Sequence, residues 1–187
     1  MERAVVKLEN EKELKIFMDP IRQRILRTMG MLGAPVTAKH LADVTGMTPA
    51  SAKHHLGRLE SIGLVEEDHT EQIHGITARF YRVSQADVSI CMDSGDNRGD
   101  REILVEGQLS SIFSEYKKGM EQYAAGGAEG EMPGEFFSGV VHLTEEQRDA
   151  VRESVARFTH ENEAMKADTK PYEFALILCG VEHETNI

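Results

Sequence analysis

The residues best equipped for recognition chemistry lie between residues 48 and 61, on one side of a potential helix. At 100° per residue, its outer face carries small and polar side chains: Ala50, Lys53, His54 and Gly57. The opposite face is apolar, with His55 at its edge: Ala52, Leu56 and Leu59. The amine of Lys53 and the imidazole of His54 can hydrogen-bond base edges in a DNA major groove, and the guanidinium of Arg58 on the flank suits a phosphate.

The start of this segment is also suited to approach a duplex. Thr48 can cap the free amides, Pro49 fits the first helical position, and Ala50 and Ser51 are small enough for close approach to bases. A polar helix face that only contacts solvent would show the same residue types, so the surrounding elements must decide. The predicted DNA-binding residues are Thr48, Pro49, Ala50, Ser51, Lys53, His54, Arg58 and His74.

Other chemistry has little support in the sequence. His160 with Glu163, and His183 with Glu184, could ligate a metal, but neither pair has the spacing of a known ligand motif. No nucleophile elbow, phosphate-binding glycine loop or HExxH motif is present. The two cysteines, Cys91 and Cys179, stand far apart and are expected to be buried or idle thiols. We therefore expect no enzyme, no metal and no cofactor.

The elements before residue 48 form the body that positions this helix. A short helix over residues 11–18 ends at Asp19-Pro20, where a second helix begins with an apolar stripe and three arginines on its outside, Arg22, Arg24 and Arg27. The stripe consists of Ile21, Ile25, Met29 and Leu32. A helix over residues 38–45, with Leu41, Ala42 and Val44 as its apolar positions, is capped by Thr37 and ends at Gly46, and one residue then separates it from the cap at Thr48. Two helices joined this tightly predict a helix-turn-helix.

The chain after residue 61 predicts a β-hairpin. Residues 64–68 and 76–83 are apolar-alternating runs, and the polar residues 70–75 between them are expected to form a flexible wing. Glu71 lies near the wing tip and only His74 could become cationic there, so we expect weak phosphate contacts from the wing at best.

Together these residues resemble an ArsR-type winged-helix regulator over about 70 positions. The stretches that carry the resemblance are Asp19-Pro20 with residues 21–26, then residues 37–46, 51–56, 63–65 and 80–83. The resemblance implies a homodimer that binds a near-palindromic operator, usually as a repressor. It does not imply metal sensing here, because the metal-sensing members carry cysteines on the first helix of the motif and residues 38–43 contain none.

Charge divides the chain unevenly. The formal net charge is -11, but residues 1–84 hold 12 Lys and Arg against 11 Asp and Glu, so the acidic excess belongs to the second half. A nearly neutral first half can still present a local basic face. No apolar run is long enough to span a membrane, and the charged start lacks the core of a secretory signal, so we expect a cytoplasmic protein.

The second half is predicted to be α+β. Residues 92–100 are expected to form a linker, and residues 101–124 a long helix with an apolar stripe: Val105, Leu109, Ile112, Tyr116, Met120 and Tyr123. The stripe could be covered by the protomer's own strands or by the same helix of a second subunit. Residues 124–139 are expected to be an irregular loop. Thr144 opens a capping box for a helix to about residue 166 with Val151, Val155, Phe158 and Met165 buried, and residues 174–181 predict a buried strand.

The sequence thus predicts an α+β protein with two parts. Residues 1–91 form a winged helix-turn-helix DNA-binding domain, and residues 101–187 form a dimerisation or effector region. Two alternatives remain open. The winged helix could contact a protein instead of DNA, or the second half could bind a small-molecule effector between the helix stripe and the terminal strand.

Overall fold

The computed structural model describes residues 4–8, 10–73, 75–90, 98–128 and 131–180. Backbone contacts group them into two units, of which the first comprises Met1–Arg101 with Val140–Pro171 and the second Glu102–Gly139 with Tyr172–Ile187. None of the described helices is both long and apolar enough to cross a membrane. The architecture is α+β, as predicted. The division at residues 91 and 101 remains a proposal.

The first unit contains the predicted helix-turn-helix with its hairpin. Its helices and strands in chain order are β1 (Ala4–Leu8), α1 (Glu11–Met18), α2 (Pro20–Leu32), β2 (Val36–Thr37), α3 (Ala38–Thr45), α4 (Pro49–Glu60), β3 (Val65–Ile73), β4 (Ile76–Val83) and β5 (Ala86–Ile90). The helix α6 (Glu145–Glu161) belongs to the same unit. A three-stranded antiparallel sheet has the order β2-β4-β3, and β1 pairs in parallel with β5.

Local sequence signals account for the helix boundaries. The Asp19 carboxylate accepts hydrogen bonds from the amides of Ile21 and Arg22, and Pro20 holds the first position of α2. Gly33 ends α2 in the left-handed region at φ 58°, where a side chain would be strained. The start of α2 at Asp19-Pro20 is the one predicted from the sequence.

The core is built where the three central helices meet the sheet. Its buried members are Ile25, Met29, Val36, Leu41, Ala42, Ala52, Leu56, Leu59, Leu64, Val65 and Tyr81. Each of the helices α2, α3 and α4 contributes to this core, and α4 contributes three residues that are entirely shielded from solvent. The predicted inner face of α4 is therefore confirmed.

Three predictions about side-chain position in α2 and α3 are wrong. Ile21 and Val44 are exposed, although both were assigned to apolar positions. The side chain of Arg22 is only 12% exposed, because its guanidinium turns back to donate to the carbonyls of Lys15 and Ile16 at the end of α1. Arg22 thus joins α1 to α2 and is not an outward charge.

The hairpin is more regular than predicted. β3 continues to Ile73, which pairs with Ile76, so most of residues 70–75 belongs to a strand and not to a flexible loop. A bulge lies between Glu67 and His69. Such bulges increase the local twist and redirect side chains, and the alternation of polar and apolar residues in the sequence does not reveal them.

The sequence did not predict the strands β1 and β5. β1 is five residues long and lies in a charged stretch, and its partner in the parallel pair is about 80 residues away in sequence. Local patterning does not reveal a pairing between such distant short segments. The predicted linker over residues 92–100 is also shorter than expected, because residues 98–100 are helical; residues 92–97 lie outside the described residues.

The second unit is dominated by α5 (Arg98–Ala125), whose first four residues are grouped with the first unit. The helix confirms the prediction, and its stripe is half-buried at Ile112, Tyr116, Met120 and Tyr123. The chain folds back on α5 after the helix, since a Cβ on Gly119 would lie 2.8 Å from Pro133. Residues 131–139 contain no regular structure, as predicted.

The largest error concerns the end of the chain. Residues 174–180 form no strand and their side chains are exposed, whereas a buried strand was predicted through residue 181, which lies outside the described residues. A strand needs a neighbour for its hydrogen bonds, and the described part of one chain supplies none. The effector cavity that this strand was predicted to line therefore lacks one of its walls.

The helix α6 begins with the predicted capping box. The Thr144 hydroxyl accepts from the Gln147 amide at 3.2 Å, and the Gln147 side chain accepts from the Thr144 amide at 2.9 Å. The helix ends at Glu161, five residues before the predicted end. Val151 and Val155 are half-buried, but Phe158 and Met165 are exposed, so the predicted buried face is only partly formed.

Truncation of the α4 core residue Leu56 tests this packing. Leu56→Ala is expected to lower the free energy of unfolding by about 2 to 5 kcal/mol, because a fully buried side chain leaves a cavity. Urea titration followed by circular dichroism measures the change. Val44→Ala, at an exposed position of α3, is the matched control and should change stability by less than about 0.5 kcal/mol. Equal effects of the two variants would contradict the assigned core.

Candidate nucleic-acid interface

The turn between α3 and α4 is fixed by backbone hydrogen bonds. Gly46 adopts φ 71° and its amide donates to the Ala42 carbonyl, which also accepts from the Met47 amide at 3.1 Å. The Arg24 guanidinium donates to the Thr45 carbonyl from α2. Arg24 is exposed, as predicted for an outward residue of α2, and its guanidinium supports the turn from that position.

The start of α4 confirms the predicted cap. The Thr48 hydroxyl oxygen accepts from the Ser51 amide at 3.2 Å, and Pro49 follows at the first helical position. Thr48, Pro49 and Ala50 are exposed, while Ser51 is half-buried. The first turn of α4 thus presents small side chains to solvent.

The two faces of α4 differ sharply. Ala52, Leu56 and Leu59 are completely buried, whereas the remaining predicted contact residues of this helix, Lys53, His54 and Arg58, are exposed. Gly57 is also exposed and has no side chain, so the helix surface is recessed between Lys53 and Arg58. The structure therefore places the predicted α4 residues on one accessible side of the helix.

The positive charges of Lys53 and Arg58 on the exposed face of α4 can attract an external anion. Across the described residues, neither Lys53 nor Arg58 has an ion-pair partner, while Lys39 on α3 is held by Asp43 at 2.9 Å. An unpaired cation keeps its full attraction for an external anion, and a paired one must first give up its partner. The face of α4 is thus suited to bind a polyanion.

His55 lies at the edge of the core, as predicted. It is half-buried, and its Nδ1 atom is shielded from solvent without a hydrogen-bond partner among the described residues. Burial lowers the pKa of the His55 imidazole, because desolvation disfavours the charged ring. His54, whose ring lies 5.5 Å away, is exposed instead. The two adjacent histidines therefore differ in role, and only His54 faces outward.

The hairpin of β3 and β4 contributes arginines that are already paired. Arg82 contacts Glu66 at 2.8 Å and Asp68 at 3.4 Å, and Arg79 contacts Glu67 at 3.3 Å. Both positive charges are thus compensated within the hairpin. His74, the one wing residue predicted to contact DNA, lies outside the described residues.

The hairpin contains one titratable site that the sequence did not predict. The His69 ring stacks on Phe80 with 4.4 Å between centroids, and its nitrogens lie 2.6 Å from Asp68 and 3.3 Å from Glu71. The hydrogen bond with Asp68, supported by Glu71, raises the pKa of His69. The Asp-His-x-Glu spacing over residues 68–71 was the available signal, although the bulge that brings Asp68 beside the ring was not visible in it.

No described residues gather three or more possible metal ligands. His160 near the end of α6 lies 3.7 Å from Glu163, which follows the helix. His183 and Glu184 lie outside the described residues. Of the two cysteines, Cys179 is an exposed free thiol, so it is not buried, and Cys91 is also outside the described residues.

Comparison with known families gives a match over the same segment. Residues 17–68 match the model of a family described as a helix-turn-helix domain. The match spans α2, α3 and α4 and confirms the helix-turn-helix that the sequence predicts. The chain therefore carries a helix-turn-helix domain. No curated protein matches the sequence.

Three solved structures align with parts of this chain at low sequence identity and low TM-score. One is the homodimeric winged helix-turn-helix DNA-binding domain of a possible ArsR-family transcriptional regulator from Mycobacterium bovis, with 20% identity, 54% of this chain and 75% of that chain covered, and a TM-score of 0.35. Another is a possible transcriptional regulator from Methanosarcina mazei, with 9% identity, coverages of 58% and 86%, and a TM-score of 0.33. A third is a ZitR variant in apo form from Lactococcus lactis, with 12% identity, coverages of 77% and 83%, and a TM-score of 0.31.

The raised pKa of His69 can be measured directly by NMR titration. We expect the His69 imidazole to titrate above the ordinary value of about 6.5, and Asp68→Asn to bring its pKa back toward that value. Because the folded-state pKa is the higher one, the ion pair stabilises the hairpin fully below the unfolded-state pKa. This contribution is lost as the pH rises through the folded-state pKa. A measured His69 pKa at or below about 6.5 would contradict the assignment.

Proposed function

We propose that this protein is a transcription regulator that binds double-stranded DNA through α4. In this proposal Lys53 and His54 contact base edges in the major groove, while Arg58 and Thr48 contact phosphates. Pro49, Ala50 and Ser51 form the low first turn that permits approach to the bases.

One observation carries the proposal: α4 has one completely buried face and an opposite face with two unpaired cations. The buried residues Ala52, Leu56 and Leu59 hold the helix rigidly, so the exposed face keeps a fixed shape. Lys53 and Arg58 lie on that face with no competing carboxylate within ion-pair distance among the described residues. The helix-turn-helix family match supports the same use of this helix.

The hairpin would contribute little to phosphate binding in this proposal. Its two arginines are engaged with Glu66, Glu67 and Asp68, and further acidic charge at Glu71 would repel a backbone phosphate. His74 would be the remaining cationic contact there. Binding energy would therefore come mainly from α4.

We further propose that the protein acts as a homodimer, with one α4 in each half-site of a near-palindromic operator. The two recognition helices would then lie about 34 Å apart, the length of one turn of the duplex. The exposed apolar side chains on α5, among them Val105, Leu109 and Phe113, support an association with a second subunit. We expect the protein to act as a repressor, because a dimer bound to an operator within a promoter would block access to that promoter.

Loss of the Lys53 or Arg58 side chain tests the DNA-binding face. Lys53→Ala is expected to weaken binding to a duplex selected by the wild-type protein by about 1 to 3 kcal/mol and to relax base preference at one position. Arg58→Ala should weaken binding to all duplexes similarly and reduce the slope of log K against log salt by about 1. Fluorescence anisotropy of a labelled duplex measures both effects.

Arg152→Ala removes the same charge from an exposed position of α6 and is the matched control. It should leave DNA affinity within twofold of wild type. If Lys53→Ala and Arg58→Ala bind the selected duplex like the control, α4 is not the recognition helix.

The second candidate is a winged helix that contacts another protein. The charge-compensated hairpin and the formal net charge of -11 favour it, because both reduce attraction to phosphate. Selection from a random duplex library separates the two. Enrichment of a common sequence supports DNA binding, whereas a failure to retain any duplex at low salt supports the protein-contact alternative.

A further inference from the structure

Residues 174–178 form an apolar segment whose large side chains are not covered by other described parts of the protein. Phe174, Leu176, Ile177 and Leu178 are exposed by 53%, 52%, 57% and 42%. The backbone amides and carbonyls of residues 174–180 have no hydrogen-bond partner among the described residues. Such a segment has both the side chains and the free backbone groups of a strand that lacks its neighbour.

The exposed apolar side chains of this segment are concentrated in a short stretch. Five large apolar side chains within residues 172–178 are exposed: Tyr172, Phe174, Leu176, Ile177 and Leu178. At about 150 to 250 Å² for a large side chain and roughly half exposure, they leave on the order of 500 Å² of apolar surface. The largest apolar patch of a typical monomer is about 300 to 600 Å² and often has a function. The amount therefore fits a site of association between proteins.

The sequence of the segment fits a second copy of itself. Residues 174–178 read Phe-Ala-Leu-Ile-Leu, with Glu173 before them and Cys179-Gly180 after them. In an antiparallel pair centred on Leu176, Leu176 faces the same residue of the partner, Phe174 faces Leu178, and Ala175 faces Ile177. All opposed side chains are apolar, and no two like charges meet.

We propose that residues 174–178 form an intermolecular antiparallel β-ladder with the same residues of a second copy, centred on Leu176. This deepens the homodimer of the proposed function by naming the element that joins the two chains. Because the pair is two-fold symmetric, the free backbone groups that face the partner strand form hydrogen bonds on both copies at once. It also accounts for a strand pattern in the sequence that a single chain does not form.

A disulfide trap tests the register. In the full chain with Cys91→Ser and Cys179→Ser, an added Leu176→Cys should form a covalent dimer under mild oxidation, because Cβ atoms opposed across a ladder lie about 4.5 to 5.5 Å apart, close to disulfide range. Non-reducing gel electrophoresis detects the dimer. Val44→Cys in the same background is the matched control, since Val44 is also 52% exposed but lies on α3. Equal dimer yields from the two variants would overturn the proposal.

A charge in the segment tests the energetics. Ile177→Asp should raise the dimer dissociation constant at least tenfold in sedimentation equilibrium, while Val44→Asp and Lys53→Ala leave it unchanged. A dimer of unaltered strength in Ile177→Asp would overturn the proposal and leave the DNA-binding role of α4 standing. Normal dimers of Lys53→Ala that fail to bind DNA, together with dissociation of Ile177→Asp, would support both.

Discussion

The burial of one face of α4 is the constraint on which the rest of the structure depends. Ala52, Leu56 and Leu59 are entirely shielded from solvent by side chains from α2, α3 and the start of β3. Each such side chain contributes roughly 1.5 to 3 kcal/mol when removed from water, except alanine, which contributes less. Because the apolar face is committed to the core, the polar face of the same helix has to point outward. The position of Lys53, His54 and Arg58 follows from this packing.

The arginines show how one residue type is used in three ways. Arg22 and Arg24 donate to main-chain carbonyls and hold helices together, whereas Arg79 and Arg82 are paired with acidic residues of the hairpin. Arg58 alone of these has no such engagement among the described residues. The count of basic residues in the first half therefore overstates the positive charge that a nucleic acid would meet, and the location of each guanidinium matters more than the total.

Local signals predicted the helix-turn-helix well because they are contained in short stretches of sequence. Asp19-Pro20, Gly46, Thr48-Pro49 and the Thr144 capping box each determine a helix end through neighbouring backbone groups. The failures concern structure that depends on distant partners. The pairing of β1 with β5, the bulge beside His69 and the fate of residues 174–180 all require knowledge of which segment lies opposite. The predicted α4 contacts share this limit, since the residue types on an exposed face do not identify the molecule that binds it.

Backbone amide chemical shifts recorded while a selected duplex is added would test the central claim most directly. All shifts are compared with those of the free protein at the same salt concentration. If α4 enters the major groove, the largest shift changes fall on residues 50–54, smaller changes fall on the hairpin, and α6 shows none. If the changes concentrate on the hairpin or on α5 while residues 50–54 stay at their free positions, α4 is not the element that reads DNA.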